Sequence, residues 1–504
     1  MKSKNIFWII LFVITAYFIW MITQNPYIAY ADGSIYVEVA ENFAKGKGFN
    51  FLNNGEIHQY VFWPPLFPAL LGWISSLFHV DIITATKILR ILLVIYLLFI
   101  LYRIFRLLKL QTQTILLGFF FLWFSWTFSL YYTTLSETLF LPLFLTSVYF
   151  LLKWSDNRML RFLVYAGLFA GLSLLTRYAA FGIIPSLIFI LLILRKDLKT
   201  GLKHVAAFTI PVLLIFLPWY LYTRQFTPFF DRKFHIHLLS PFHIEQFYIT
   251  AANWLVPGLT VFLIIPLLLL IFYVIFKYRK SVLSFTKERK IQILLLIAVI
   301  YLLFIIFSIS FIDFDTPMDF RILAPFYMLL LPVGLVFLEK IRWINSKIFL
   351  GLLLILVVSH GVEGFVKTKN YMMETANYTH LNNTAFIRTI EKNQKRKIWS
   401  NVTDIIKMYV ENDTLLREMP VKYERMSLIE NKNYGKQLDE LKENLDKDRG
   451  MIIYYYLSNR RDFQPTKEEL IEQFRDYPVI YYDEGMIIFH SAFKDSLDKA
   501  NHPQ

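Results

Sequence analysis

The sequence lacks cysteine and is poor in charge. None of its 504 residues is Cys, which excludes a disulfide framework, a thiolate metal site and a thiol nucleophile. Charged residues make up 18% of the chain, whereas a typical soluble domain has about 25%. The glycine-rich fingerprints of phosphate-binding and dinucleotide-binding loops are also missing from the sequence. Thiol-dependent and nucleotide-binding enzymes are therefore poor candidates.

Apolar residues take the place of the missing charge. Hydrophobic residues make up 56% of the chain and aromatic residues 18%, with a mean hydropathy of +0.47. Apolar runs of about 17 to 25 residues, the length that crosses a hydrocarbon core, recur along most of the chain. They predict a mainly α-helical polytopic membrane protein, a bundle with about 11 to 13 spans. The candidate spans are about residues 6–23, 86–105, 114–132, 136–152, 162–176, 179–194, 204–222, 254–276, 291–311, 321–338 and 348–365.

Basic residues predict the orientation of these spans. The formal net charge is +14, but the Lys and Arg residues form short clusters between apolar runs, which indicates the positive-inside bias and not nucleic acid binding. If a further apolar stretch, residues 62–79, does not cross, all large basic clusters fall on one side, which must be cytoplasmic. Pro64, Pro65 and Pro68 within it favour a broken helix at the interface. The first polar loop, residues 24–62, is then extracytoplasmic.

The composition changes near residue 370. Beyond it the chain has many charges and no long apolar run. Residues 1–369 are therefore predicted to form a transmembrane domain, and residues 370–504 a small soluble α/β domain outside the membrane. The predicted elements of this domain are strands at 451–457, 479–482 and 486–489, helices at 436–446 and 466–474, and a hairpin turn at 483–485.

The first outer loop contains the first candidate active-site residues. Asp32 and Tyr36 lie in a short amphipathic stretch that ends in Gly46-Lys47-Gly48-Phe49. Asp32 is expected to cap this helix, and capping alone would explain it. The functional alternative is a general base that deprotonates a hydroxyl at the membrane surface. His58 would contact substrate or be an ordinary loop residue. The aromatic and proline segment at 62–68 would bound a lipid-accessible cavity or belong to an interfacial aromatic belt.

Ionisable residues at the outer ends of spans are the second group of candidates. Such residues are costly in a membrane, about 2.5 to 3.5 kcal/mol each at a span centre, so they justify a functional hypothesis. Glu137 and Arg177 lie in sharp outer turns, and Arg224 and Arg321 lie at other span ends. Together with Asp32, they would form a site that holds a phosphate and activates a hydroxyl.

Each of these residues also has an explanation without catalysis. Glu137 could stabilise the start of a helix, where the macrodipole favours a carboxylate. Arg177 could extend to lipid headgroups. Arg321 could pair with aspartates of its own loop, which are Asp313, Asp315 and Asp319. The residues alone do not decide between the two sets of explanations.

In the order of these motifs, the chain resembles the GT-C superfamily of polytopic glycosyltransferases. The resemblance is greatest to bacterial relatives of protein O-mannosyltransferases and of the aminoarabinose transferase that modifies lipid A. The matching positions are Asp32, Tyr36, the Gly-x-Gly-Phe at 46–49, the proline segment at 64–68, Glu137, Arg177, and the Pro-Trp at 218–219 with Arg224. Two departures are that Gly33 follows Asp32 where many relatives have a second acidic residue, and that Pro-Trp does not run quickly into Arg-Asn.

The resemblance implies transfer of a sugar from a polyprenyl phosphate carrier to an acceptor on the extracytoplasmic face, with inversion at the anomeric carbon. Asp32 would deprotonate the acceptor hydroxyl, while Arg177, with Arg224 or Arg321, would neutralise the phosphate leaving group. The protein would lie in a bacterial plasma membrane and act on an envelope protein, lipid or glycan. No cofactor is expected, although His58, His235, His237 and His243 leave a divalent metal open.

Three other functions remain open. A transporter or flippase for lipid-linked sugars would have polar residues at mid-membrane depth, whereas most candidate spans here are nearly free of charge. A scaffolding membrane protein would use the outer domain as its partner site. An oligosaccharide polymerase or ligase would use a diphosphate-linked donor and is poorly distinguished by sequence.

Overall fold

The computed structural model of the chain describes residues 2–24, 30–53, 55–193, 197–226, 236–255, 269, 273, 276–277, 287–340, 358, 360–363, 366, 384–410, 413–423, 429–456 and 463–493. The helices of the membrane part are α1 (Lys2–Gln24), α2 (Tyr30–Ala44), α3 (Leu66–Phe78), α4 (Ile82–Leu107), α5 (Thr112–Trp123), α6 (Trp126–Ser129), α7 (Glu137–Asn157), α8 (Leu160–Leu174), α9 (Ile183–Ile193), α10 (Leu198–Thr223), α11 (Pro241–Leu255), α12 (Arg289–Phe311) and α13 (Ala324–Lys340). A hairpin of β1 (Asn50–Asn53) and β2 (Glu56–Gln59) lies between α2 and α3.

Several helices are suited to crossing a membrane. Among the described residues, α4, α7, α10 and α12 are both long and apolar enough, and α1, α8 and α9 contain shorter apolar segments. The expected fold class, a helical membrane protein, is confirmed. The predicted spans at 254–276 and 348–365 fall largely outside the described residues, as does the domain boundary near 370.

The predicted span at 114–132 is not one straight helix. It consists of α5 and a second helical segment from Trp126 to Tyr132, which are bent by 61° relative to each other. The hydroxyl of Ser125 accepts a hydrogen bond from the backbone N–H of Phe128 at 3.3 Å and so begins the second segment. A continuous span was expected here because apolarity alone does not reveal a break.

The proline segment leads into the short helix α3. α3 has 13 residues, about 20 Å at 1.5 Å per residue, whereas a hydrocarbon core is about 30 Å thick. Its length agrees with the predicted interfacial position. Gly72 of α3 lies directly against the carbonyl of Ala40 in α2, where a Cβ atom would not fit. The two helices of the first loop therefore pack closely together.

The turn after α2 explains the Gly-x-Gly pattern. Gly46 and Gly48 have φ of 73° and 83°, a backbone region that favours glycine because it has no Cβ atom. The turn brings Phe49 back onto Phe43, with ring centroids 4.7 Å apart. The chain then continues into the hairpin.

Helix α7 lies at the centre of the bundle. Seventeen of its side chains are buried, and they lie on all sides of the helix, as expected of a helix surrounded by others. α8 packs beside it, and the hydroxyl of Ser147 in α7 donates to the carbonyl of Ala166 in α8 at 2.8 Å. The first residue of α7 is Glu137, so the core of the bundle determines where this carboxylate lies.

The C-terminal part is a mixed α/β unit. Its strands are β3 (Ile398–Ser400), β4 (Leu416–Glu418), β5 (Met451–Tyr455), β6 (Val479–Tyr481) and β7 (Gly485–Phe489), in the sheet order β4-β3-β5-β7-β6. β4, β3 and β5 run parallel to one another. β7 runs antiparallel to both of its neighbours, β5 and β6. Its helices are α14 (Ala385–Asn393), α15 (Thr403–Ile406), α16 (Tyr434–Lys447) and α17 (Lys467–Gln473). The strands, helices and hairpin turn predicted between 436 and 489 are confirmed.

Both faces of this sheet are apolar. Ile453 and Ile487 lie in one cluster with residues of α14, whereas Ile452 and Ile488 lie in a second cluster with residues of α16 and α17. This alternation follows from the two-residue period of a strand. The unit therefore has a core of its own on each side of the sheet.

A substitution at Gly167 tests the packing of α8 on α10. Gly167 and Gly171 are spaced like the small residues at close contacts of membrane helices, and a Cβ atom at Gly167 would collide with the Phe208 carbonyl. We expect Gly167→Val to destabilise the protein by about 1–3 kcal/mol or more, measured as a lower unfolding temperature in detergent. Gly334 of α13 has open space around it, so Gly334→Ala should not lower that temperature. Unchanged unfolding of Gly167→Val would contradict the close contact.

Candidate active site

Four charged side chains from distant parts of the chain meet at one end of the bundle. Asp32 comes from the first turn of α2, Glu137 from the first turn of α7, Arg177 from the turn after α8 and Arg321 from the loop before α13. Each is within 2.9 Å of an oppositely charged neighbour. We refer to these four residues as the charge cluster. Its two carboxylates and two guanidinium groups alternate along a chain of contacts.

Glu137 lies at the centre of the charge cluster. It is only 2% exposed, and its position at the start of α7 suits a carboxylate because of the helix dipole. Arg177 Nη1 lies 2.8 Å from its Oε2, and Arg321 Nε donates to its Oε1 at 2.9 Å. One buried carboxylate therefore holds two guanidinium groups. Arg177 does not extend to lipid headgroups, and Glu137 does more than begin a helix.

Arg321 connects the centre of the cluster to the first loop. Its Nη2 donates to Asp32 Oδ2 at 2.9 Å and also lies 2.9 Å from Glu137 Oε1. Asp319, which was considered as its partner, accepts hydrogen bonds from the backbone N–H groups of Arg321 and Ile322 at 2.9 and 3.1 Å. Burial raises the pKa of Asp319 above its usual range. Asp319 therefore shapes the loop, and the Arg321 guanidinium pairs with Glu137 and Asp32.

Asp32 is the most accessible carboxylate of the cluster. Its side chain is 29% exposed, whereas that of Glu137 is 2% exposed. The expectation that Asp32 precedes the helix as its cap is wrong, because α2 begins at Tyr30 and places Asp32 within the first turn. The carboxylate can thus face both Arg321 and a molecule that approaches from outside.

Tyr36 reaches the cluster through a serine. Its hydroxyl lies 3.0 Å from Ser136 Oγ, and Arg177 Nη1 donates to the same oxygen at 3.2 Å. Burial, with the nearby charge of Asp32, raises the pKa of Tyr36 well above its usual value, so the phenol stays neutral. α2 is thereby attached to the turn that carries Glu137.

Two of the sequence motifs position Arg177. The backbone N–H of Leu66, in the proline segment, donates to the carbonyl of Leu175 at 3.0 Å. On the other side, Trp219 Nε1 of the Pro-Trp motif donates to the hydroxyl of Tyr178 at 3.1 Å. Both contacts fix neighbours of Arg177, so these motifs support the turn that presents its guanidinium group.

His58 and Arg224 are not part of the charge cluster. His58 is exposed on β2, with its ring 6.2 Å from that of Phe51. Arg224 is exposed just after α10. Their roles in substrate binding stay predictions. Tyr222, two residues before Arg224, instead donates to Gln59 of the hairpin at 3.2 Å.

Of the histidines considered as metal ligands, His237 and His243 have hydrogen-bonding partners within the protein. Both ring nitrogens of His243 have partners, the hydroxyl of Ser240 at 2.7 Å and the carbonyl of Phe314 at 2.9 Å. The backbone N–H of His237 donates to Ser310, and His235 lies outside the described residues. In the part of the chain that the structure describes, no group of three or more His, Asp or Glu residues could hold a metal ion.

Sequence reasoning missed Ser136 and Asp319 as parts of the site. Ser136 immediately precedes Glu137, and its hydroxyl joins Tyr36 to Arg177. The Asp-x-Arg spacing of Asp319 and Arg321 is a signal for a turn in which the aspartate accepts backbone N–H groups. That signal was available but was interpreted as an ion pair.

The fold and part of the sequence match known proteins. A family model described as dolichyl-phosphate-mannose-protein mannosyltransferase matches residues 63–222. The crystal structure of ArnT from Cupriavidus metallidurans in the apo state has a TM-score of 0.59 to this chain, at 12% identity, over 98% of this chain and 99% of that one. The crystal structure of the same protein bound to undecaprenyl phosphate has a TM-score of 0.55, at 12% identity, over 96% and 98%.

No curated protein matches the sequence. The likeness to ArnT nevertheless shows a shared fold along nearly the whole chain. The expected resemblance to the GT-C superfamily is confirmed by this fold together with the matching family model. The family match contains Glu137 and Arg177, whereas Asp32 and Arg321 lie outside it.

Neutralising Glu137 tests whether it holds the charge cluster together. Glu137→Gln would leave two largely buried guanidinium groups without their shared counter-charge, which typically costs about 3–5 kcal/mol. We expect a clearly lower unfolding temperature in detergent. Asp156→Asn, on the same helix, removes an ion pair with Lys290 in which the carboxylate is 45% exposed, and it should cost less than about 1 kcal/mol. Equal effects of the two substitutions would show that Glu137 is not the organising group.

Proposed function

We propose that this protein is a GT-C-type membrane glycosyltransferase that moves a sugar from a polyprenyl phosphate carrier to an acceptor hydroxyl or similar nucleophile on the extracytoplasmic face. The observation that carries the proposal is the charge cluster itself. It combines a partly exposed carboxylate with two guanidinium groups at a helix end of the bundle. The likeness to ArnT, one of whose structures is bound to undecaprenyl phosphate, supports this carrier.

The position of basic residues supports the outer face. Glu137 is at the first turn of α7, while Lys153 and Arg158 are at the opposite end, about 30 Å away for a 21-residue helix. The end with Lys153 and Arg158 is the cytoplasmic one under the positive-inside rule. The charge cluster then faces the outside, where lipid-linked sugars meet envelope acceptors.

The two arginines suit the phosphate of the donor. Guanidinium groups match phosphate oxygens with paired N–H donors, and their charge stabilises a leaving group whose negative charge grows in the transition state. Glu137 would hold both groups at a fixed separation, so little rearrangement is needed when the donor binds. The lipid tail would lie along the apolar helices of the bundle.

Asp32 is the proposed general base. As the acceptor oxygen bonds to the anomeric carbon, the bond from that carbon to the phosphate oxygen breaks, and its electron pair leaves with the polyprenyl phosphate. The proton of the acceptor hydroxyl passes to Asp32. Attack on the face opposite the phosphate would invert the anomeric centre. Because Arg321 contacts Asp32, a donor phosphate that takes up Arg321 would release the carboxylate for this role.

Substitution of Asp32 tests the proposed chemistry. With purified protein, labelled polyprenyl phosphate sugar and envelope fractions as acceptors, we expect Asp32→Asn to lower turnover by about 10²- to 10⁴-fold. Binding of undecaprenyl phosphate should persist, because the arginines remain. The matched control is Asp81→Asn, since Asp81 caps α4 and Asn caps equally well. Wild-type turnover of Asp32→Asn would exclude it as the base.

Failure of the wild-type protein to label any envelope fraction, without binding of undecaprenyl phosphate, would overturn the transferase proposal. Binding without transfer would instead favour a flippase. Both outcomes can be read from the same preparation.

Substitution of the arginines tests donor recognition. Arg177→Gln should weaken undecaprenyl phosphate binding by about tenfold or more, because a charge-assisted hydrogen bond contributes about 1.5–3 kcal/mol. Arg106 is exposed in the last turn of α4, so Arg106→Gln is the control and should bind as the wild type does. Equal affinity of the Arg177 variant would contradict its phosphate contact. Arg224→Gln in the same titration tests the role predicted for Arg224.

A further inference from the structure

A lysine of the C-terminal unit contacts the first outer loop. Lys407 lies just after α15, and its ammonium group forms an ion pair with Glu38 of α2. The same ammonium group donates to the carbonyl of Leu52 in β1 at 3.0 Å. The backbone N–H of Leu52 donates to the other oxygen of Glu38 at 2.7 Å. These three residues form a closed set of contacts, which we call the Glu38 junction.

The junction acts on the helix that carries Asp32. Glu38 is six residues after Asp32 on α2, so the two lie about 9 Å apart along the helix axis. A hydrogen-bonded helix moves as a rigid element, so a shift or rotation at Glu38 moves Asp32 as well. Tyr36, between them, attaches the helix to Ser136, and Ala40 packs against Gly72 of α3. The junction adds an attachment to the C-terminal unit.

The ion pair of the junction is well shielded from solvent. The side chains of Lys407 and Glu38 are 15% and 20% exposed. By contrast, the pair of Lys45 and Glu41 on the same helix is 62% and 44% exposed. A shielded pair interacts more strongly and tolerates less misalignment than an exposed one. Loss of one partner would leave the other charge without compensation.

A second contact holds the hairpin against the same unit. Gly55, at the hairpin turn, has φ of 71° and lies against Arg417 and the carbonyl of Thr414. A Cβ atom at Gly55 would collide with both groups. The guanidinium of Arg417 is itself oriented by the carbonyls of Thr414 and Leu416, at 2.6 and 2.9 Å. The C-terminal unit therefore touches both α2 and the hairpin that follows it.

We propose that Lys407 is a positioning residue for the transfer reaction: through Glu38 it sets the place of α2 and hence of the Asp32 carboxylate relative to Arg321. This inference rests on the proposed function. It makes the C-terminal unit part of the active-site architecture. Since Arg177 and Arg321 belong to other segments, disruption of the junction displaces the base and leaves the phosphate-binding groups in place.

Charge exchange across the junction tests this role. Lys407→Glu and Glu38→Lys should each lower kcat by about 10- to 100-fold, the effect of a misplaced catalytic group, with little change in KM for the labelled donor. The double exchange should recover part of kcat, because it restores the ion pair but not the two hydrogen bonds with Leu52. The conservative Lys407→Arg should retain most of kcat. The matched control is Lys397→Glu, which breaks a pair with Asp448 within the C-terminal unit at 2.9 Å and should leave kcat unchanged.

Three results of these assays would overturn the positioning role. One is unchanged kcat in both single exchanges. Another is a loss of kcat that the double exchange does not relieve and that Lys407→Arg shares, since that is the pattern of a general loss of folding. A parallel rise of KM and loss of undecaprenyl phosphate binding would also contradict it, because the arginines should be unaffected.

Crosslinking separates failure of the junction from failure of the proposed function. Because the chain has no cysteine, the double substitution Glu38→Cys with Lys407→Cys introduces the only two thiols. A short bis-maleimide should link them, as detected by peptide mass spectrometry, whereas Glu38→Cys with Lys397→Cys should remain unlinked. Absence of the expected link would overturn the junction even if the wild type is active. A link in the Cys variant, together with a wild-type protein that transfers no sugar, would refute the proposed function and leave the junction intact.

Discussion

The outer end of the bundle depends on the ion pairs of one buried carboxylate. Two guanidinium groups repel each other at short range, and in a site with little water they can lie side by side only around a counter-charge. Glu137 supplies it, with Arg177 on one oxygen and Arg321 on the other. Since Glu137 begins the most enclosed helix, its place is set by apolar packing below it. The turn after α8, the loop before α13 and the first loop all take their positions from it.

The four residues of the charge cluster could be named from the sequence, but the ion pairs between them could not. The distribution of Lys and Arg assigned Asp32, Glu137, Arg177 and Arg321 to one face, and the structure brings these four together. The pairing was missed because sequence displays only neighbours along the chain. Arg321 was weighed against aspartates of its own loop, whereas its Glu137 partner is 184 residues away. The contact between Lys407 and Glu38 could not be predicted either, because these residues are 369 positions apart in the chain.

The fold, too, could be predicted only where the signals are local. Strands β5, β6 and β7 and the hairpin at 483–485 follow from alternation and turn residues, which are local signals, and they were predicted correctly. The three-residue strands β3 and β4 were not predicted. The break between α5 and α6 was missed, because Ser125 stands in an aromatic-rich run whose hydropathy is that of a continuous span. Hydropathy indicates whether a segment lies in water or in the membrane, but it does not indicate whether the segment bends there.

The sharing of Arg321 between Asp32 and Glu137 has a consequence for the end of the catalytic cycle. In the proposed reaction a phosphodiester with one negative charge becomes a phosphate monoester with about −1.5 to −2, while Asp32 loses its charge by taking a proton. Negative charge thus passes from one side of Arg321 to the other. Once Asp32 returns its proton to water, a carboxylate and a phosphate monoester compete for the same guanidinium group. Their repulsion would expel the spent lipid carrier, so deprotonation of the base would reset the site and release the product in one step.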